Sequence, residues 1–356
     1  MLHAISQASL DDDVFREDHT TTSLETFIAS LTGHEAALLV LSGTMGNQLC
    51  IRTHLTHPPH SIVADARSHV LGWEAGGIAL LSSALAIPIT PRNGHHLTLA
   101  DVERHTVLSS DIHACPTRLI ALENTLGGSI LPLSVCQEIS HWARAQEPPI
   151  PLHLDGARLW DAVAAGAGSL KDYCACFDSV SLCFSKGLGA PIGSIIVGGR
   201  GFIEKSRHFR KAIGGGTRQS GVIAAAARIS VEENFWGGEL ARSREVAMRV
   251  AGMWEDRGGK VNGKVETGMC WLDLEGSGVE EKEWVKVGVE EGVKLYGKRL
   301  VCHYQISDEA VERLGSCMDH VLLGKRGKRA PPAVNGGVKC EIVEQVADEQ
   351  TKKEME

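Results

Sequence analysis

The sequence predicts an α/β protein: a large domain built on a mostly parallel sheet, followed by a small C-terminal α+β domain. Three observations predict it. Short apolar runs alternate with amphipathic stretches between about residues 24 and 227, the pattern of a parallel sheet covered by helices. The texture changes after about Phe235, where a charged helical stretch is followed by short strands. From Gly324 onward Lys, Arg, Pro and Gly give way to Glu, a composition suited to a peripheral or mobile tail. The domains are drawn accordingly at 1–235, 236–324 and 325–356.

Within the large domain, residues 36–41, 61–64, 118–122, 151–154, 179–184 and 193–197 are predicted strands, because each is a short apolar run bounded by turn formers. Residues 22–31, 46–54, 133–145 and 220–234 carry helical periodicity. In the small domain a helix is predicted over 239–256. Strands at 269–274 and 298–303 flank a further helix around 280–291. Ligand sites of such sheets lie at the carboxyl ends of the strands.

Composition excludes several classes of function. The 356 residues carry a net charge of −8, from 44 acidic and 36 basic side chains, which gives no basis for a nucleic-acid or anionic-membrane partner. No apolar stretch is long enough to span a bilayer. Asp11, Asp12 and Asp13 near the start do not resemble a signal peptide. The ten cysteines are scattered. Cys174 and Cys176 have no second pair to complete a metal site, so no metal is expected and the thiols suit a reducing, cytoplasmic compartment.

Five segments carry chemistry. In Phe184-Ser185-Lys186-Gly187-Leu188-Gly189-Ala190-Pro191-Ile192-Gly193 a buried run ends in one lysine followed by small residues. A lysine bordering a poorly solvated pocket favours the neutral, nucleophilic amine that Schiff-base chemistry needs, and the glycines let a bulky ligand approach. A strand ending in a solvated lysine fits the same residues. Ser42-Gly43-Thr44-Met45 opens a helix after a strand, offering backbone N–H groups and a hydroxyl to a phosphate. It equally describes a turn with a helix cap. Asp155, in His153-Leu154-Asp155-Gly156-Ala157-Arg158, follows a buried strand and needs a cation. A protonated pyridine nitrogen would serve, and so would an internal pair with Arg158, whose planar fork also suits a substrate carboxylate. Gly214-Gly215-Gly216-Thr217-Arg218 is a flexible cationic loop that suits phosphate or a plain hinge. His69 could stack on a flat cofactor or move a proton, although sixteen histidines make a structural role common. The order Thr44, His69, Asp155, Lys186, Arg218 describes a pyridoxal-phosphate site.

The chain resembles the low-specificity L-threonine aldolases of the threonine aldolase/β-eliminating lyase family. The resemblance rests on SGTMGNQ (42–48), SHVLGWEAGG (68–77), LENTLGG (122–128), HLDGARLW (153–160), FSKGLGAPIGS (184–194) and HFRKAIGGGTRQSG (208–221). KRLVCHYQIS (298–307) is similar to fungal members in particular. The resemblance implies the aspartate-aminotransferase-like fold type I and pyridoxal 5'-phosphate as cofactor. It makes Lys186 the Schiff-base lysine and pairs Asp155 with the pyridine nitrogen. Gly43, Thr44 and Met45 would hold the phosphate, and His69 would stack on the ring. Arg158 and Arg299 would bind the substrate carboxylate, with Arg218, and Lys211 before it, near the cofactor. It also implies a homo-oligomer, a tetramer or dimer, with active sites shared between subunits.

Three departures from the family pattern stand out. The R-S-D-T-x-T segment that usually precedes D-D-x-[YF] has no counterpart before Asp12-Asp13-Val14-Phe15, as expected of a misplaced start, a shortened variant or a degraded N-terminus. Glu123-Asn124-Thr125 runs into Leu126-Gly127-Gly128 without the family's histidine. The segment 255–297 is short and rich in Gly, Glu and Val. Three activities are therefore weighed: cleavage of L-threonine or L-allo-threonine to glycine and an aldehyde, racemisation of alanine, and an impaired, non-catalytic paralogue.

Overall fold

The computed structural model describes residues 1–324, so the predicted tail at 325–356 lies outside the described residues. The chain forms two compact units, Met1–Glu239 and the part from Leu240 onward.

The first unit is organised by a seven-stranded sheet. Its strands are β1 (Ala36–Val40), β2 (Ser61–Asp65), β3 (Leu85–Ile89), β4 (Thr117–Glu123), β5 (Leu152–Gly156), β6 (Ser179–Cys183) and β7 (Ser194–Gly198), in the spatial order β1-β7-β6-β5-β4-β2-β3. Strand β7 runs antiparallel to both neighbours, and every other pairing is parallel. The mixed α/β plan of a fold-type-I enzyme is thus present. Strands β2, β5, β6 and β7 are buried at every position, which is why they appear as apolar runs rather than alternating ones. Strand β3 was not among the predicted strands. It holds Pro88 and is buried only at Ile89, as suits an edge strand with one neighbour.

The helix Gly43–His54 covers the middle of the sheet, and its approach is unusually close. A Cβ added to Gly46 would stand 2.5 Å from Ser181 Oγ and 3.0 Å from Ile196. Helix His19–Thr32 is capped by the Asp18 carboxylate at its start and by Gly33, with φ +78°, at its end. The helix predicted over 220–234 is regular only across Gly221–Ile229 and widens into a π-type stretch over Ser230–Phe235. There Asn234 donates to the Leu188 carbonyl beside Lys186. Helix Arg200–Ala212, very polar on one side, was not predicted.

The second unit holds a three-stranded antiparallel sheet, β8 (Lys260–Val261), β9 (Met269–Asp273) and β10 (Arg299–Val301), ordered β10-β9-β8. Helices Glu281–Glu290 and Asp308–Leu323 belong to the same unit. Its own core includes Trp254 and Trp284 in an edge-to-face contact at 5.5 Å. Among the described residues no helix is long and apolar enough to cross a membrane, and nine cysteines are unpaired.

Candidate active site

Parallel register sets the site. Glu123 of β4 pairs with Asp155 of β5, and Asp155 with Ser181 of β6, so three polar side chains share one row near the carboxyl ends of adjacent strands. Asp155 is only 3% exposed. Its Oδ1 accepts from the Ala157 backbone N–H at 3.0 Å and its Oδ2 from Asn47 Nδ2 at 2.7 Å. No cation pairs with it among the described residues. The internal Asp155–Arg158 pair that the sequence left open is therefore not formed. Arg158 instead acts electrostatically on buried Asp161, whose carboxyl is pushed up by burial and drawn back down in part by that guanidinium.

Lys186 stands three residues beyond the end of β6, in a half-buried turn, rather than on the strand end itself. Past Cys183 the Phe184 N–H still bonds across to the Gly193 carbonyl, and the chain then turns, with Gly189 N–H donating to the Lys186 carbonyl at 2.9 Å. The lysine charge is felt at Glu123, Asp161 and Cys183, which puts it within electrostatic reach of the Glu123 end of the row. Burial, with Asp155 beside it, pushes the Glu123 carboxyl well above the ordinary carboxylate range.

His69 opens a short helix. Its backbone N–H donates to Glu123 Oε2 at 2.7 Å, and its Nδ1 lies 2.8 Å from Glu74 Oε1. Glu74 is buried, and its two oxygens also accept from Asn47 Nδ2 at 2.8 Å and Gln48 Nε2 at 2.6 Å. Ligand-type atoms of His69, Glu74 and Asp155 thus lie within 4.8 Å of one another, with the Asn47 amide donating to both acids.

At the phosphate turn, Ser42 caps the helix by accepting from Met45 N–H at 3.1 Å. That removes the Met45 amide from the expected set and leaves the Gly43 and Thr44 amides without intrahelical partners. The glycine-rich loop is clasped by the N-terminal segment. Asp13 N–H donates to the Arg218 carbonyl at 2.8 Å, the Arg218 guanidinium reaches Asp12 at 2.7 Å, and buried Asp13 pairs with Arg210 at 2.9 Å. Arg218 is exposed, as is Lys211. Arg299 lies in the second unit, with its guanidinium 5.7 Å from the Trp271 ring.

Asn47, Glu74, Glu123 and His153 lie within the family-like motifs, but the sequence alone assigns them no role. One signal was available for His153: it lies two residues before Asp155 on one strand, hence on the same face. A surface cavity of about 300 Å³ bordered by Gln137, His141, Arg144 and Asp172 shares no residue with this cluster.

These residues fit pyridoxal 5'-phosphate. A buried carboxylate surrounded by amide donors and lacking a cation suits a protonated ring nitrogen. The free helix N–H groups suit a phosphate, and the charge of Lys186 reaches Glu123 in the same row. The fold and site define a pyridoxal-phosphate-dependent lyase of fold type I. Residues 1–276 match the beta-eliminating lyase family, and the chain belongs to it. It is 56% identical to aldolase vrtJ of Penicillium aethiopicum, covering 91% of this chain and 83% of that protein. It is 44% identical to the alanine racemase TOXG of Cochliobolus carbonum, over 90% and 84%. It is 47% identical to a probable low-specificity L-threonine aldolase of Schizosaccharomyces pombe, over 88% and 81%. A solved threonine aldolase from Leishmania major shares the fold, with a TM-score of 0.78 at 18% identity over 90% of this chain and 95% of that one.

Proposed function

We propose that the protein cleaves β-hydroxy-α-amino acids, L-threonine and L-allo-threonine first among them, to glycine and an aldehyde. The observation that carries this reading is the His69–Glu74 contact at 2.8 Å. Glu74 takes the Nδ1 side of the imidazole, and Nε2 has no hydrogen bond among the described residues, which suits a group that accepts a hydroxyl proton. Pyridoxal phosphate, when bound, supplies the carbonyl and the electron-accepting ring. Lys186 offers the amine that holds it, Asp155 meets the ring nitrogen, and the Gly43 and Thr44 amides with the Thr44 hydroxyl receive the phosphate. Arg158 receives the substrate carboxylate. Arg218, exposed and anchored to Asp12, suits a site completed by a second copy of the chain. Exposed Phe15 and Ile213 on the same two segments would be covered in such an assembly. Purified holoprotein given L-threonine should release aldehyde, and protein that releases none from either threonine isomer contradicts the reading.

One observation favours a second reading. Leu126-Gly127-Gly128 replaces the histidine expected after Thr125, and buried Thr125 leaves its hydroxyl without a partner. A pocket lacking that base suits a substrate without a hydroxyl, such as alanine, racemised at Cα. Formation of D-alanine from L-alanine would identify this activity.

A further inference from the structure

Asn47 stands where four segments of the chain meet. Its Nδ2 donates to Asp155 at 2.7 Å and to Glu74 at 2.8 Å, and its Oδ1 lies 3.1 Å from His153 Nε2. Behind His153, Nδ1 lies 2.9 Å from Ser179 Oγ, which is 2.8 Å from His54 Nε2. Asn47, His153 and Ser179 are fully or almost fully buried.

The direction of every bond in this row follows from donor and acceptor counting. Two carboxylates can only face the amide NH₂, so Oδ1 faces His153 and His153 Nε2 must carry a hydrogen. Burial lowers His153 to about 4 and His54 to about 3, so both rings are neutral at pH 7. His153 Nδ1 is then bare and accepts the Ser179 hydroxyl, and Ser179 accepts from His54 Nε2. On the other side Glu74 has both oxygens engaged by amide N–H groups. It therefore accepts from His69 Nδ1, a tautomer in which the neutral imidazole has Nε2 as its bare nitrogen.

We propose that Asn47 is a positioning residue, oriented by the neutral His153–Ser179–His54 row, that fixes two parts of the cofactor pocket at once: the Asp155 carboxylate and, through Glu74, the ring proton of His69. The inference rests on the pocket holding pyridoxal phosphate. One amide couples the group that keeps the cofactor ring protonated to the group that handles the substrate proton. An apolar residue of similar size at position 47 would leave two neighbouring carboxylates without their shared donor.

The test uses holoprotein loaded with cofactor carrying ¹⁵N at the ring nitrogen, whose chemical shift reports ring protonation directly. Wild type should give the protonated signal. Asn47→Leu and His153→Leu should both move it toward the unprotonated position and weaken cofactor binding about 10- to 100-fold, the loss common for groups that orient a ligand from behind. His153→Gln keeps an N–H donor near Nε2 and should restore both readouts, which lost packing alone would not predict. If Asn47→Leu does not fold, the two His153 variants decide. Wild-type ring-nitrogen signal and affinity in folded Leu variants would overturn the proposal. A failed pocket reading shows separately: wild type would then give no visible cofactor band, or one that survives in Lys186→Ala.

Discussion

Glu123 and Asp155 are register partners on adjacent parallel strands, two carboxylates side by side, with the Lys186 charge acting on Glu123. Asp155 is surrounded by N–H donors, whereas Glu123 accepts from the His69 backbone and is pushed well up from the ordinary range. The pair therefore divides its work: Asp155 is arranged to meet a cation, and Glu123 favours the proton-bearing form. Pairs whose environments push two acids apart are the usual way one site holds both states.

This division predicts that Glu123→Gln is mild and Asp155→Asn is severe. The unfolded chain releases the Glu123 proton near 4.5, and the folded chain retains it to higher pH. Glu123 thus costs stability as pH rises through that window. Urea midpoints of the apoprotein should favour Glu123→Gln increasingly from pH 5 to pH 8. A gap that shrinks or reverses over that range would contradict the assignment.

His69→Asn should lower aldehyde release about 10²- to 10⁴-fold, the range for loss of a general base, while the visible cofactor band persists. Glu74→Gln should give a smaller loss with a shifted pH profile, because the imidazole keeps its place and loses the anion that fixes its proton. Steady-state rates across pH 6–9 measure both. Full activity in His69→Asn would place the proton acceptor elsewhere.

Gly46→Ala should destabilise the protein by about 1–3 kcal/mol, the usual cost of overpacking, because its Cβ would meet Ser181 Oγ at 2.5 Å. The same push would lift Asn47 from Asp155, so cofactor affinity should fall together with the thermal midpoint. Unchanged melting would show that the helix does not rest on the sheet as described.

His153 is held neutral down to about 4 against an ordinary value of 6.5. Between those values the unfolded chain binds a proton that the folded chain refuses, so stability falls as pH drops from 6.5 toward 4. In His153→Gln this decline should lose about one proton's worth of slope. Thermal melts at half-unit steps of pH would show it, and identical slopes would contradict a buried neutral ring.

Much of the large sheet was legible because its central strands are buried on both faces and so appear as plain apolar runs. Edge strand β3 was hidden by Pro88 and by exposure. The helix Arg200–Ala212 was hidden by its polarity, although its Arg210 is buried against Asp13. In the site, Lys186, Asp155 and His69 stood out as single reactive residues beside recognisable turns. Asn47, Glu74 and His153 did not, because their roles exist only where segments 27 and 106 residues apart converge. No local pattern records such convergence. Likewise, Ser42's capping of Met45 became evident only once the helix start at Gly43 was placed.

The most direct measurement is product analysis of the holoprotein with L-threonine, L-allo-threonine and L-alanine in parallel. The account predicts equimolar glycine and acetaldehyde from at least one threonine isomer, lost in Lys186→Ala. No acetaldehyde from either isomer, with D-alanine accumulating from L-alanine, would contradict it.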